Sequence, residues 1–309
     1  MTAPAPLPFL QVDAFTQDPF GGNPAGIVFL EGPRNAAWLQ AVAAEMNLSE
    51  TAFLLRRADG RFDLRWFTPA VEVTLCGHAT LASAHALWTT GRADAGAPIV
   101  FETLSGALTA KPATARPGTA RPGPGAGSGR TAADGAITID LPLRPVTPAT
   151  LPVDVLAALG VQPTAVYAAG KGPGGIDYIV ECADEATVTA AQPDMSPLKA
   201  VDGGVILTAR ASTRGWDFVS RYFAPAFGID EDPVTGSAHC ALAPYWAERL
   251  GRSTLTARQV SKRGGTLQVT VDGDRVCLTG HAVTVLSGEL LARPDRKDDC
   301  AWTPRLDEP

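Results

Sequence analysis

Positive charge is in short supply along this chain of 309 residues: 26 lysines and arginines face 32 aspartates and glutamates, a net charge of −6. That balance argues against a surface built for nucleic acid or for anionic membranes. Long apolar runs are missing as well. No stretch reaches the ~18 consecutive uncharged apolar residues of a membrane span, and the opening MTAPAPLPFLQVDAF has neither the basic start nor the apolar centre of a signal peptide. Cysteine is sparse, with five residues at positions 76, 182, 240, 277 and 300, an odd number widely scattered. They read as reduced thiols, and the expected compartment is the cytoplasm. These absences exclude fibrous, disordered, disulfide-rich and membrane classes. What is left is a globular chain long enough for two domains of about 150 residues.

What the chain does have is an internal repeat. Residues 65–70 read Arg-Trp-Phe-Thr-Pro-Ala, and residues 221–226 read Arg-Tyr-Phe-Ala-Pro-Ala. Each leads through a turn to a small-residue helix start, Cys76-Gly77-His78-Ala79 in one copy and Thr235-Gly236-Ser237-Ala238 in the other. Two matched units 156–159 residues apart predict a duplicated domain. Alternation predicts a strand from Phe62 to Phe67, and further short strands at 9–15, 25–30, 51–55, 98–102, 136–141, 176–181, 204–208, 266–271 and 275–278. Helices are predicted from Asn35, a candidate N-cap, to Met46, from His78 to Trp88, and from Ser237 to Leu250 with Gly251 as the stop. The expected fold is α+β, two pseudo-symmetric halves, each a curled, barrel-like sheet around a central helix. Lys111 to Arg130 holds only Pro, Gly, Ala, Ser, Thr and basic residues, so it is expected to be a mobile insertion in a hairpin. The halves are then 1–147 and 148–309, with Arg293 to Pro309 expected to fray.

Several residues could carry chemistry. A helix N-terminus offers unpaired N–H groups to carboxylates. If the halves pack about a twofold axis, the starts at Gly77 and Gly236 face one cleft, with His78 and Ser237 on opposite walls. The bland alternative is that the glycines permit tight packing and the polar residues are caps. Glu50 reads either as the end of an Asn47-to-Glu50 capping box or, because a strand follows, as an acid/base glutamate. Asp232, ahead of Pro233, is a turn starter or helix cap, or else a carboxylate placed near His78. Cys76, His78, His239 and Cys240 are set aside as zinc ligands, because helical residues one or two apart diverge. His85 reads as a core residue, and His281 is open between site and strand. No hydrolase elbow, phosphate loop or dinucleotide fingerprint is present.

Four segments together resemble the PhzF-like family of phenazine biosynthesis: Val12-Asp13-Ala14-Phe15 through Gly22-Asn23-Pro24-Ala25, Asn47 to Phe53, Leu75 to Thr80, and Glu231 to His239. The resemblance implies the diaminopimelate-epimerase-like fold with a site between two similar halves. It also implies an isomerase that needs no cofactor and no metal. Glu50 matches the family's acid/base glutamate, which moves a proton between carbons. His78, Asp232 and Ser237 match its substrate-binding residues, and the amides at Gly77 and Gly236 would hold a carboxylate of a small substrate. A homodimer is implied too. Related epimerases use one thiol from each half; here Cys76 is present but Thr235 stands at the matched position, and a threonine hydroxyl is far too weak an acid to replace a thiolate. Cys76 therefore reads as structural. The alternatives carried forward are a metabolite-binding protein without catalysis and a Cys76-dependent racemase.

Overall fold

The computed structural model describes residues 6–113, 135–170, 172 and 175–291. Most of the 111–130 insertion, from residue 114, and the tail at 293–309 lie outside the described residues. In chain order the elements are β1 (Leu7–Ala14), β2 (Asn23–Leu30), α1 (Ala36–Met46), β3 (Glu50–Arg56), β4 (Phe62–Phe67), β5 (Glu72–Val73), α2 (Gly77–Thr89), β6 (Ile99–Thr103), β7 (Gly106–Pro112) and β8 (Ile137–Pro142). There follow β9 (Val146–Pro148), α3 (Val153–Ala158), β10 (Pro163–Ala169), β11 (Tyr178–Cys182), α4 (Glu185–Ala190), α5 (Met195–Leu198), β12 (Val205–Arg210) and β13 (Phe218–Ala224). The chain continues with β14 (Ile229–Asp232), α6 (Gly236–Leu250), β15 (Thr254–Gln259), β16 (Gly265–Asp272), β17 (Arg275–Gly280) and β18 (Ala282–Leu290).

The strand ladder repeats itself. β1–β2 is antiparallel, β2–β3 parallel, β3–β4 antiparallel and β4–β6 parallel. β10–β11, β11–β12, β12–β13 and β13–β15 follow the same sequence of directions. The short β5 hangs on β4 as β14 hangs on β13. β18 lies antiparallel beside β1, as β9 does beside β10. Residues 282–290, near the end of the chain, thus sit on its first strand. The two series meet where β8 pairs antiparallel with β17. Among the described residues β18 and β9 have free edges, so the sheets curl without closing into a barrel.

Side chains repeat too. Arg65 grips Glu72 with two bonds, 2.6 and 2.7 Å, and lies 5.2 Å from the Phe67 ring. Arg221 grips Glu231 at 2.7 and 2.9 Å, 4.9 Å from the Phe223 ring. These paired forks fasten each short strand to its neighbour and turn the chain toward the helix that follows. The arginine of the repeated hexapeptide makes the same contact in both copies.

Both central helices are built from small and apolar residues that tolerate burial on all sides. α2 packs against β1, β2, β3, β7, β8 and β18, and α6 against β9, β15, β16 and β17. Leu81 and Leu87 of α2 share one core with Leu242 and Trp246 of α6. Smaller clusters lie outside the sheet, where Leu39 and Val42 of α1 cover Phe53 and Phe67, and Val155, Val188 and Leu198 of α3–α5 cover Val205 and Leu207. Asn35 caps α1 through its Oδ1, 2.8 Å from the Trp38 amide, and Gly251 ends α6 in the left-handed region at φ 65°. The two helix starts touch. A Cβ built on Gly236 would stand 2.8 Å from the Gly77 Cα, and one built on Gly77 would stand 2.9 Å from the Gly236 Cα. Only glycine at both positions lets the backbones approach so closely.

Candidate active site

The residues of the site arrive from five places in the chain, each held by a local device. α1 ends at Asn47 in the left-handed conformation, φ 50°, and the chain enters β3 at Glu50 beside Ala25. The glutamate therefore has no helix to cap. Asn23 opens β2 just after Gly22, whose φ is +60°; a Cβ there would stand 2.1 Å from the Ala14 carbonyl oxygen. That tight turn directs a fully buried Asn23 inward. Cys76 precedes α2 in extended conformation, φ −142° and ψ 111°, and His78 lies in the helix's first turn. Asp232 closes β14, and Thr235 precedes α6.

These residues form one network. His78 Nε2 lies 3.1 Å from Glu50 Oε2, although neither atom makes an aligned hydrogen bond and both are buried. On the other side of the ring, Nδ1 lies 3.2 Å from Asn23 Nδ2 and 3.4 Å from Cys76 Sγ. Asn23 Nδ2 donates to Asp232 Oδ1 at 2.8 Å and to the Val234 carbonyl at 2.9 Å, which uses both of its hydrogens. Cys76 Sγ is then the remaining contact of Nδ1. Thr235 donates its hydroxyl to Asp232 Oδ2 at 2.5 Å. Gln259 braces the turn by accepting from the Thr235 amide at 2.9 Å and donating to the Asp232 carbonyl at 2.7 Å.

Burial sets the ionisation of every member. Desolvation pushes Glu50 well above the usual carboxylate range; the charge of Asp232 adds to this, while a contact with Cys76 opposes it. Asp232 is pushed up to about 6 by burial, held back by its bonds from Thr235 and Asn23. Burial drives His78 down to about 3, so the ring is neutral at physiological pH. Cys76 is pushed well up by burial, with Glu50 adding to the effect. The result is a protonatable carboxyl beside a neutral imidazole, with a second carboxyl behind them. Because 14% of the Glu50 side chain remains accessible, a ligand can reach it while Oε2 stays covered. This arrangement suits proton transfer to and from a weak acid.

Glu50, His78 and Asp232 of the sequence-derived set are brought together, and Gly77 meets Gly236. Ser237 stands apart. It is half-buried in the first turn of α6, and among the described residues its hydroxyl makes no hydrogen bond, while its carbonyl accepts from Arg144 at 3.3 Å. His239 is fully buried and bonds back to the Thr235 carbonyl at 2.7 Å. His85 meets Thr284 at 3.0 Å, and Gln17 lies 3.2–3.3 Å from the ring nitrogens of His281. The expectation that Cys76 and His78 diverge is corrected. It treats both as helical, but Cys76 is extended, so its sulfur turns back to the ring. One donor atom each from Glu50, Cys76 and His78 lies within 4.8 Å of the others, close enough for the three to share a metal ion. Sequence reasoning did not mark Asn23, Thr235 or Gln259 as site residues. Asn23 lies within a quoted motif, whereas nothing local marks Gln259.

The profile of the phenazine biosynthesis-like protein family matches residues 12–288. An uncharacterized isomerase of Halalkalibacterium halodurans is 45% identical over 286 residues, covering 92% of this chain and 98% of its own. A human phenazine biosynthesis-like domain-containing protein is 38% identical over 93% of this chain and 99% of its own. Among solved structures, a PhzF-family protein of Enterococcus faecalis superposes with a TM-score of 0.79 at 37% identity, over 93% of this chain and 100% of that one. A probable proline racemase of Agrobacterium radiobacter shares the fold, with a TM-score of 0.61 at 13% identity and coverage of 96% and 98%.

Proposed function

The chain belongs to the phenazine biosynthesis-like protein family, and from that premise we propose that it is a cofactor-independent isomerase that moves a proton within a small carboxylate-bearing molecule. Glu50 is the shuttle. The observation that carries this reading is its carboxyl, buried at Oε2, raised in pKa, and 3.1 Å from a neutral His78. A carboxyl raised above its usual range is a stronger base when ionised and holds the proton more readily once taken, which suits a group that removes a proton from one carbon and returns it to another.

The substrate carboxylate would lie over the two touching helix starts, between the halves proposed at 1–147 and 148–309. Amides at Gly77 and Gly236 and the Ser237 hydroxyl, which makes no hydrogen bond among the described residues, are the groups suited to receive it. The neutral His78 ring would stabilise negative charge as it develops, and Asp232, fixed by Asn23 and Thr235, would orient the far side of the substrate.

A two-thiol racemase is less well supported. Thr235 spends its hydroxyl on Asp232, and the Cys76 thiol is pushed up rather than made acidic. The test is Glu50→Gln across a panel of small amino, hydroxy and unsaturated carboxylates. Turnover is expected to fall by roughly a thousandfold or more, the scale of a general acid/base contribution, while calorimetric affinity holds. Turnover at the wild-type rate refutes the assignment.

A further inference from the structure

We infer that Glu50, Cys76 and His78 form a binding site for one thiophilic divalent cation, Zn2+ above all, which would occupy the acid/base centre and block it. The site does not depend on the isomerase reading, because the argument is one of donor geometry. One donor atom from each residue falls within 4.8 Å of the other two, and Glu50 Oε2 stands 3.1 Å from His78 Nε2. Tetrahedral zinc with bonds of about 2.1 Å to N and O and about 2.3 Å to S places its donors roughly 3.4–3.6 Å from one another. Closing the 4.8 Å span to that size takes side-chain shifts of about 1 Å.

A second observation points the same way. Glu50 Oε2 and His78 Nε2 are buried without an aligned hydrogen-bond partner although they face each other. Two buried polar atoms left without aligned bonds lose hydration that a cation between them would replace. Charge balance also fits burial. On binding, the Cys76 thiol proton and any proton held by Glu50 leave to solvent, and the carboxylate, thiolate and neutral imidazole together cancel the two charges of the ion. Three protein donors leave a fourth position for water, so the site resembles an open zinc centre rather than a closed structural one. The extended backbone at Cys76 makes this possible, since a helical residue there would carry its sulfur away from His78.

The experiment is a titration of the metal-free purified protein with Co2+, a spectroscopic stand-in for zinc. One equivalent should bind with a thiolate-to-cobalt charge-transfer band, and one equivalent of Zn2+ should abolish it. Cys76→Ser should lose the band. Glu50→Gln should weaken Co2+ binding by at least about tenfold, or about 1.4 kcal/mol, with an unchanged circular dichroism spectrum. His85→Gln, farther along the same helix, should leave both band and affinity intact. A wild-type protein that gives no band overturns the inference. So does a band that survives in Cys76→Ser, or affinity undiminished in Glu50→Gln.

Discussion

Asn23 is where the network is most exposed to a single change. Replacing it with alanine removes the amide that donates to Asp232 Oδ1 and to the Val234 carbonyl, and leaves both acceptors buried. A lost bond to a charged group costs about 1.5–3 kcal/mol and a neutral one about 1 kcal/mol. The expected destabilisation is then about 2.5–4 kcal/mol, or a fall in Tm of roughly 4–6 °C for a chain of 309 residues. The electrostatic consequence is more specific. Asp232 sits at about 6 because burial raises it while Thr235 and Asn23 hold it back, so Asn23→Ala should push it higher still. With its folded pKa above the unfolded carboxylate value, Asp232 contributes most stability below about pH 4 and loses that contribution as pH rises to about 6. In Asn23→Ala this loss should extend to higher pH. Carbon-13 NMR titration of the Asp232 carboxyl, with thermal unfolding across pH, reads both effects. An unmoved Asp232 titration together with a Tm within about 2 °C of wild type would refute the linkage of Asn23 to Asp232.

Other consequences concern packing and acid stability. Gly236→Ala drives a methyl group to 2.8 Å from the Gly77 Cα, and should cost about 1–3 kcal/mol in thermal unfolding, as overpacking does; no change would mean that the helix starts are not in contact. His239 is held down to about 4 by burial, so it contributes stability above pH 6.5 that is lost as pH falls from there to about 4. His239→Gln should flatten the acid limb of the stability curve by about 3 kcal/mol, and an unchanged limb would place that histidine in solvent. Thr235→Val removes the hydroxyl bonded to Asp232 at 2.5 Å and should raise the Asp232 titration, whereas Thr235→Ser should leave it near wild type. Equal titrations in the two variants would contradict the assigned bond.

The duplication was legible because it is written twice in short local sequence. Arg65 and Arg221 stand in matching hexapeptides, and both fork onto the short strand that follows. The two central helices were legible from their unbroken small-residue runs, and the motifs around Glu50, His78 and Asp232 carried the family resemblance. Other features had no such signal. Asn23 meets Asp232 across 209 positions, and Gln259 meets Thr235 across 24, so only the folded topology brings either pair together. β10 and β18 were not anticipated because their residues are mostly half-buried or exposed, with little contrast between faces. β15 does alternate, but its inward residues are Leu255, Ala257 and Gln259, a weak apolar pattern. The approach of Cys76 to His78 was hidden by a backbone choice that spacing alone does not reveal: Cys76 ends an extended segment rather than beginning a helix.

Solvent deuterium incorporation, followed by proton NMR in wild type and Glu50→Gln side by side, tests the central claim most directly. A panel of small amino, hydroxy and cyclic unsaturated carboxylates would be incubated in deuterium oxide with each protein. The account predicts wash-in at a single carbon of at least one compound with wild type and none with Glu50→Gln. Wash-in at the same rate in both proteins would contradict Glu50 as the group that moves the proton.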